Sequence, residues 1–157
     1  MLSVCRQKGL HVFHTREGHR GNWVDLPENK RWRSEKMHAG IGDKSEEGRI
    51  LTRAAPKSGW DVIDELWPRE DEVVIDKPGK GSFVGTDLGF ILQLRRIENL
   101  IITGVTTDVC VQTTMREAND RGYECILVED GTAAAHDQMR LSSIESVKLN
   151  LFILLFT

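Results

Sequence analysis

Apolar residues in this chain gather into short runs separated by long polar stretches, and three of the runs share one character. Glu72 to Ile75, Leu100 to Val105 and Glu124 to Val128 are compact, rich in β-branched residues and bounded by glycine or acidic segments, as buried parallel strands are. Between the first two, Leu88, Ile91, Leu92 and Arg95 fall at helical spacing. Between the second and third, a helix is expected from about Cys110 to Arg121, closing at Gly122. Upstream, Met1 to Lys8 reads as the last turns of a helix ended by Gly9, and Leu10 to His14 as a short strand. Thr15 to Ser58 is polar, with glycines and prolines and no sustained period, the pattern of a functional cover or a disordered loop. Trp60 to Leu66 is expected to form a short helix stopped by Pro68. The final run, Leu149 to Thr157, is too short to span a bilayer and reads as a terminal strand or an altered terminus.

Strands alternating with crossovers of helical length predict an α/β fold: a Rossmann-like parallel sheet with helices on both faces. The length, 157 residues, suits one domain. Chemistry in open sheets of this kind collects at the carboxyl ends of the strands, here after Ile75, Val105 and Val128.

Charge removes some function classes. With 21 basic and 24 acidic residues well mixed and a net charge of −3, there is no basic face for nucleic acid. Met1 to Lys8 lacks a leader-like apolar core, and no run reaches membrane-spanning length, so neither secretion nor a membrane partner is expected. Three cysteines without paired spacing, Cys5, Cys110 and Cys125, indicate neither a disulfide framework nor a zinc knuckle and fit a reducing cytoplasm.

Cys110 is the sharpest residue. It follows a buried strand directly and opens a helix, where unpaired amides and the positive end of the helix dipole favour a thiolate and can receive an oxyanion. Position alone also fits an inert buried thiol, which most free cysteines are. Cys125, inside a strand, and Cys5, in the terminal helix, fit that blander description better.

The run Leu100 to Val111, with Thr114, Ala118, Gly122-Tyr123 and Glu129-Asp130, resembles the cysteine core of isochorismatase-like hydrolases. Asp76-Lys77-Pro78-Gly79-Lys80-Gly81-Ser82-Phe83, with Thr86 and Leu88, resembles that family's lysine segment, at matching separation. Thr15 to Arg20, Arg33-Ser34, Ile41 to Asp43 and Gly48 to Ile50 look most like the branch of biuret hydrolases and ureidoacrylate amidohydrolases. The resemblance implies hydrolysis of a small carbamoyl or ureido amide through a cysteine thioester. Cys110 would be the nucleophile and Lys77, rather than Lys80, its charged partner. The oxyanion would lie on the backbone amides of Thr106 and Cys110, beside a cis Val105–Thr106 peptide. Arg16, Glu17 and Phe83 are candidates to line the substrate pocket, although a solvated loop accounts equally well for the two charged ones. Some relatives bind zinc after the strand that carries His14, but His14 and His19 lack the Asp-x-His unit, so neither a metal nor another cofactor is expected. Homo-oligomers are common among the relatives and expected here.

Two departures qualify the resemblance. The family's catalytic aspartate sits on a first strand preceding the helix at Met1 to Lys8, and that strand is missing from this sequence. A Gln-Gly-Gly turn expected after Val147-Lys148 is replaced from about residue 149. The single domain is therefore read as incomplete at its start and altered at its end. A catalytically impaired member that binds a small ligand or a partner subunit is the alternative reading. True isochorismatase activity, which needs no thiol, is a further one.

Overall fold

A computed structural model describes residues 1–37, 40–45, 48–53, 60–150 and 154–155. It divides into two compact units, Met1–Pro78 and Gly79–Thr157, of mixed helix and largely parallel strand, as the α/β expectation required. Among the described residues no helix is long and apolar enough to cross a membrane.

In the first unit, helix α1 (Leu2–Gln7) ends where Gly9 takes φ +69°, a region open to glycine. Strand β1 (Phe13–Glu17) pairs in parallel with β4 (Val73–Lys77), from Phe13 opposite Val73 to Glu17 opposite Lys77. The sequence places this first strand three residues too early. The ladder wins because only Phe13 to Glu17 match β4 rung for rung. Ile75 and Lys77 are the buried positions of β4, two residues apart as on one face of a strand.

The stretch read as loop from Thr15 to Ser58 holds regular structure that no apolar period announces. Helix α2 (Glu28–Lys36) is almost wholly polar. It starts at Pro27, whose φ of −65° suits a helix entry, with Glu28 against the dipole of its first turn, and Arg31 and Glu35 pair along one face at 3.2 Å. A two-rung antiparallel pair follows, β2 (Lys44–Ser45) with β3 (Gly48–Arg49). Pro56 and Ser58, at the end of that stretch, lie outside the described residues. The helix expected at Trp60 to Leu66 shrinks to one 3₁₀ turn, Asp64–Leu66.

Glu72 gathers the start of this unit. Its carboxylate accepts two bonds from Arg6 of α1 (2.6 and 2.8 Å) and one from the Arg69 amide (2.9 Å), and lies 2.9 Å from His14 Nε2 on β1. The Arg6 guanidinium, chiefly, holds the carboxyl far below its usual 4.5. A depressed carboxyl stabilises the fold fully above its unfolded value and loses that contribution as pH falls through the folded one. Glu72→Gln is therefore expected to lower the unfolding midpoint at pH 7 by about 3–6 °C, the shift of ~1–2 kcal/mol in a chain this size. The gap between the two proteins should close as the pH drops below 4.5. Melting curves from pH 7 to pH 2 check this, and a gap independent of pH would refute it.

The second unit begins with a glycine-rich segment and helix α3 (Leu88–Leu94), which buries Leu88 and Leu92, one turn apart. Strands β5 (Asn99–Val105), β6 (Glu124–Ala133) and β7 (Leu154–Leu155) form a parallel sheet in that order. Strand β6 runs five residues beyond the sequence expectation, through Ala133, because β5 continues to pair with it past a register shift between Ile102 and Gly104. Helix α4 (Gln112–Asp120) buries Met115 and Ala118, which with Val111 just before it make a stripe at helical spacing. Helix α5 (Asp137–Asn150), which the sequence reading leaves unassigned, adds Ile144 and Val147 to the core. Each such fully buried aliphatic side chain contributes about 1.5–3 kcal/mol. Of the apolar terminal run, β7 pairs with Leu127 and Val128 of β6, while Leu151 to Ile153, Phe156 and Thr157 lie outside the described residues.

Candidate active site

The carboxyl end of β5 is shaped by its backbone. Gly104, at the register shift, has φ +113°, a conformation that any side chain would strain. The Val105–Thr106 peptide that follows is cis. Thr106 is extended and caps the next helical segment, its carbonyl accepting the amides of Val109 (3.2 Å) and Val111 (3.1 Å). The bond from Thr106 to Val111 spans five residues, so Thr107–Val111 form one wide π turn that runs straight into α4. The helix thus opens three residues before Cys110 rather than at it, because a π turn has no apolar period to read. Cys110 remains in the opening turn and is half-buried.

Threonine and serine hydroxyls tie the glycine-rich segment to this helix. Thr114 Oγ1 donates to the Cys110 carbonyl at 2.7 Å and lies 3.0 Å from Ser82 Oγ, and Thr86 Oγ1 donates to the Ser82 carbonyl at 2.6 Å. The Phe83 amide donates to Glu117 Oε2 at 3.2 Å. A side chain at Gly81 would run into that carboxylate, so glycine there lets the loop lie against α4. Phe83 is 6% exposed, stacked 5.9 Å from the Tyr123 ring and capped by the Arg121 guanidinium at 4.7 Å. It packs into the second unit's core.

The remaining candidates sit on the last rungs of β1 and β4. Lys77, the final residue of β4, is 3% exposed, whereas Lys80 is exposed. Its ammonium lies 3.9 Å from Glu17 Oε2, and Glu17 Oε1 lies 2.6 Å from Lys30 Nζ of α2. Arg16 turns to Asp76 (2.8 Å) and Asp61 (2.6 Å) and lies 4.2 Å over the Trp60 ring. That set of partners makes Arg16 a brace between β1, β4 and the turn at Trp60. Thr106 and Cys110 are thus brought together in one unit, and Glu17 and Lys77 in the other. Lys30 went unread in the sequence, for a single polar residue in a polar segment carries no periodic or motif signal, while Ser82 and Thr114 were read as parts of the resembling segments without their hydroxyl contacts.

The other titratable candidates have separate occupations. Burial pushes the Cys125 thiol up to about 11, so it stays protonated near neutral pH and is a poor nucleophile. His14 bonds Glu72, while His19 is buried, its pKa lowered chiefly by that burial, and its Nδ1 donates to the Asp25 carbonyl at 3.1 Å. Among the described residues no three His, Cys, Asp or Glu side chains gather as metal ligands would.

The chain is similar to known proteins in sequence and fold. The ureidoacrylate amidohydrolase of Azorhizobium caulinodans is 30% identical over 139 residues, which cover 85% of this chain and 60% of that protein. The present chain therefore spans less than two thirds of that curated relative's length. An isochorismatase-like hydrolase from Alkaliphilus metalliredigens superposes over 92% of this chain and 69% of its own, at 29% identity and a TM-score of 0.72. N-carbamoylsarcosine amidase from Thermoplasma acidophilum does so over 93% of this chain and 73% of its own, at 25% identity and a TM-score of 0.70. The Isochorismatase domain model matches residues 1–155, so nearly the whole sequence, and with it both units of the structure, is accounted for by one family. This chain belongs to the isochorismatase family.

Proposed function

We propose that the protein hydrolyses a small carbamoyl or ureido amide, with Cys110 as nucleophile and Lys77 as the cationic group of the mechanism. The observation that carries the reading is the position of Cys110: half-buried, in the opening turn of the helix that leaves the carboxyl end of a parallel strand. Helix amides and dipole there favour negative charge on an oxygen developing next to the sulfur. The similarity to a ureidoacrylate amidohydrolase and to an N-carbamoylsarcosine amidase supports the substrate class.

In this mechanism the Cys110 sulfur bonds to the carbonyl carbon while the carbonyl π electrons move onto oxygen. The backbone amides of Thr106 and Cys110 receive that oxyanion, and the Lys77 ammonium offsets the charge. Collapse breaks the C–N bond, and the nitrogen takes up the proton given up by the thiol and leaves as ammonia or an amine. Water then adds to the S-acyl carbon, the C–S bond breaks, one water proton returns to sulfur, and the acid and the free thiol separate.

The test is release of ammonia from biuret, ureidoacrylate, N-carbamoyl amino acids and nicotinamide. Turnover of one or more of the carbamoyl or ureido compounds, with nicotinamide untouched, is the expected result. Turnover of nicotinamide alone, or of none by folded protein, would contradict the reading.

A further inference from the structure

The last two rungs of the β1/β4 ladder each pair opposite charges, Arg16 with Asp76 and Glu17 with Lys77. Successive side chains leave a strand on opposite faces, so the two pairs serve different sides of the ribbon. On Arg16's side the guanidinium is engaged by Asp76, Asp61 and the Trp60 ring. On the other side one carboxylate stands between two ammoniums: Glu17 Oε1 is 2.6 Å from Lys30 Nζ, and Oε2 is 3.9 Å from Lys77 Nζ. Lys30 Nζ also donates to the carbonyl of Pro78, the residue after Lys77, at 2.7 Å. The side chains are 12% (Glu17), 18% (Lys30) and 3% (Lys77) exposed.

We infer that Glu17 is a positioning residue for Lys77, anchored by Lys30, rather than a residue that touches substrate. The inference rests on the proposed role of Lys77. A buried ammonium is tolerated only beside compensating charge, and Glu17 supplies it. The two contacts differ in kind. A charge-assisted bond of 2.6 Å pins the carboxylate to α2. A separation of 3.9 Å is attraction without a hydrogen bond between the two groups, so it constrains where the Lys77 ammonium sits. Lys30's second bond, to the Pro78 carbonyl, secures the backbone as it leaves Lys77. Side chain and main chain of Lys77 are thus located from one lysine on a polar helix. The arrangement matters to rate because a displacement of about 1 Å in a charged group near reacting atoms can cost about 100-fold.

The purified protein and its Glu17→Gln, Lys30→Met and Lys30→Arg variants decide the matter through two measurements. The first is kcat and KM on whichever carbamoyl or ureido compound the wild type turns over. The second, which needs no turnover, is the rate at which acetic anhydride acylates Lys77, mapped by peptide mass spectrometry. Glu17→Gln is expected to lower kcat about 10- to 100-fold with KM little changed, and to speed acylation of Lys77. Lys30→Met should do the same more weakly, and Lys30→Arg should restore most of the loss. A wild-type kcat in Glu17→Gln, or a loss that falls on KM as for a substrate ligand, would overturn the inference. If the wild type turns over none of the compounds, the amidase reading fails, and acylation alone decides: unchanged labelling of Lys77 in Glu17→Gln overturns the positioning role, faster labelling upholds it. Should Glu17→Gln not fold, Lys30→Met carries both measurements.

Discussion

Replacing Cys110 with alanine is expected to abolish ammonia release, by about four to six orders of magnitude, while leaving the protein folded. On the proposed mechanism the loss is large because the sulfur forms and breaks the bonds that divide one hard step into two easier ones. The fold should survive for local reasons. The bond that Thr114 makes here goes to the Cys110 carbonyl, which alanine keeps, and alanine is a good helix former in an opening turn. Cys110→Ser should lose nearly as much, since a hydroxyl is a far weaker nucleophile than a thiolate at neutral pH. Steady-state ammonia assays and a melting curve on each variant check both halves. Activity within about tenfold of wild type in Cys110→Ala would remove the cysteine from the chemistry.

Lys77→Met should have the second-largest effect, a fall of about 100- to 1000-fold in kcat, the size seen when one group that stabilises an oxyanion is removed. Methionine keeps most of the buried stem and discards the charge. Glu17 is not thereby stranded, because Lys30 still holds its other oxygen at 2.6 Å. Stability should therefore change little, and kcat should fall with the melting midpoint nearly unmoved. Rates unaffected in a folded Lys77→Met protein would show that the lysine is a structural ion and would leave the cationic role without a residue.

The parts of the fold that were legible in the sequence are those whose burial writes a period. β4, β5 and the start of β6 are short β-branched runs, and α3 and α4 carry buried residues one turn apart, so their places follow from composition and spacing alone. What escaped were elements held by polar contacts or by their neighbours. Helix α2 has hardly an apolar side chain, yet it supplies Lys30. The far half of β6 exists because β5 keeps a partner there after its bulge, a pairing that no local pattern encodes. The sequence does not announce α5 although Ile144 and Val147 are spaced for one buried face, because polar residues surround them.

The candidate site divides in the same way. Cys110 and Lys77 follow or end strands and lie in recognisable segments, so the sequence singles them out as candidates. The side chain contacts around them were not, since the sequence shows that Arg16, Glu17 and Phe83 are near strand ends without showing which way each is committed. Arg16 goes to two aspartates, Phe83 to the core, and Glu17 to two lysines.

The central claim, that Cys110 carries the acyl group, is tested most directly by mass. Wild-type protein mixed with excess ureidoacrylate, or with whichever carbamoyl compound it turns over, is quenched in acid during turnover and weighed intact, then digested. An adduct of the acyl fragment's mass, on the peptide holding Cys110 and absent from Cys110→Ala, is the expected result. Steady ammonia release with no such adduct, and with Cys110→Ala still active, would contradict it.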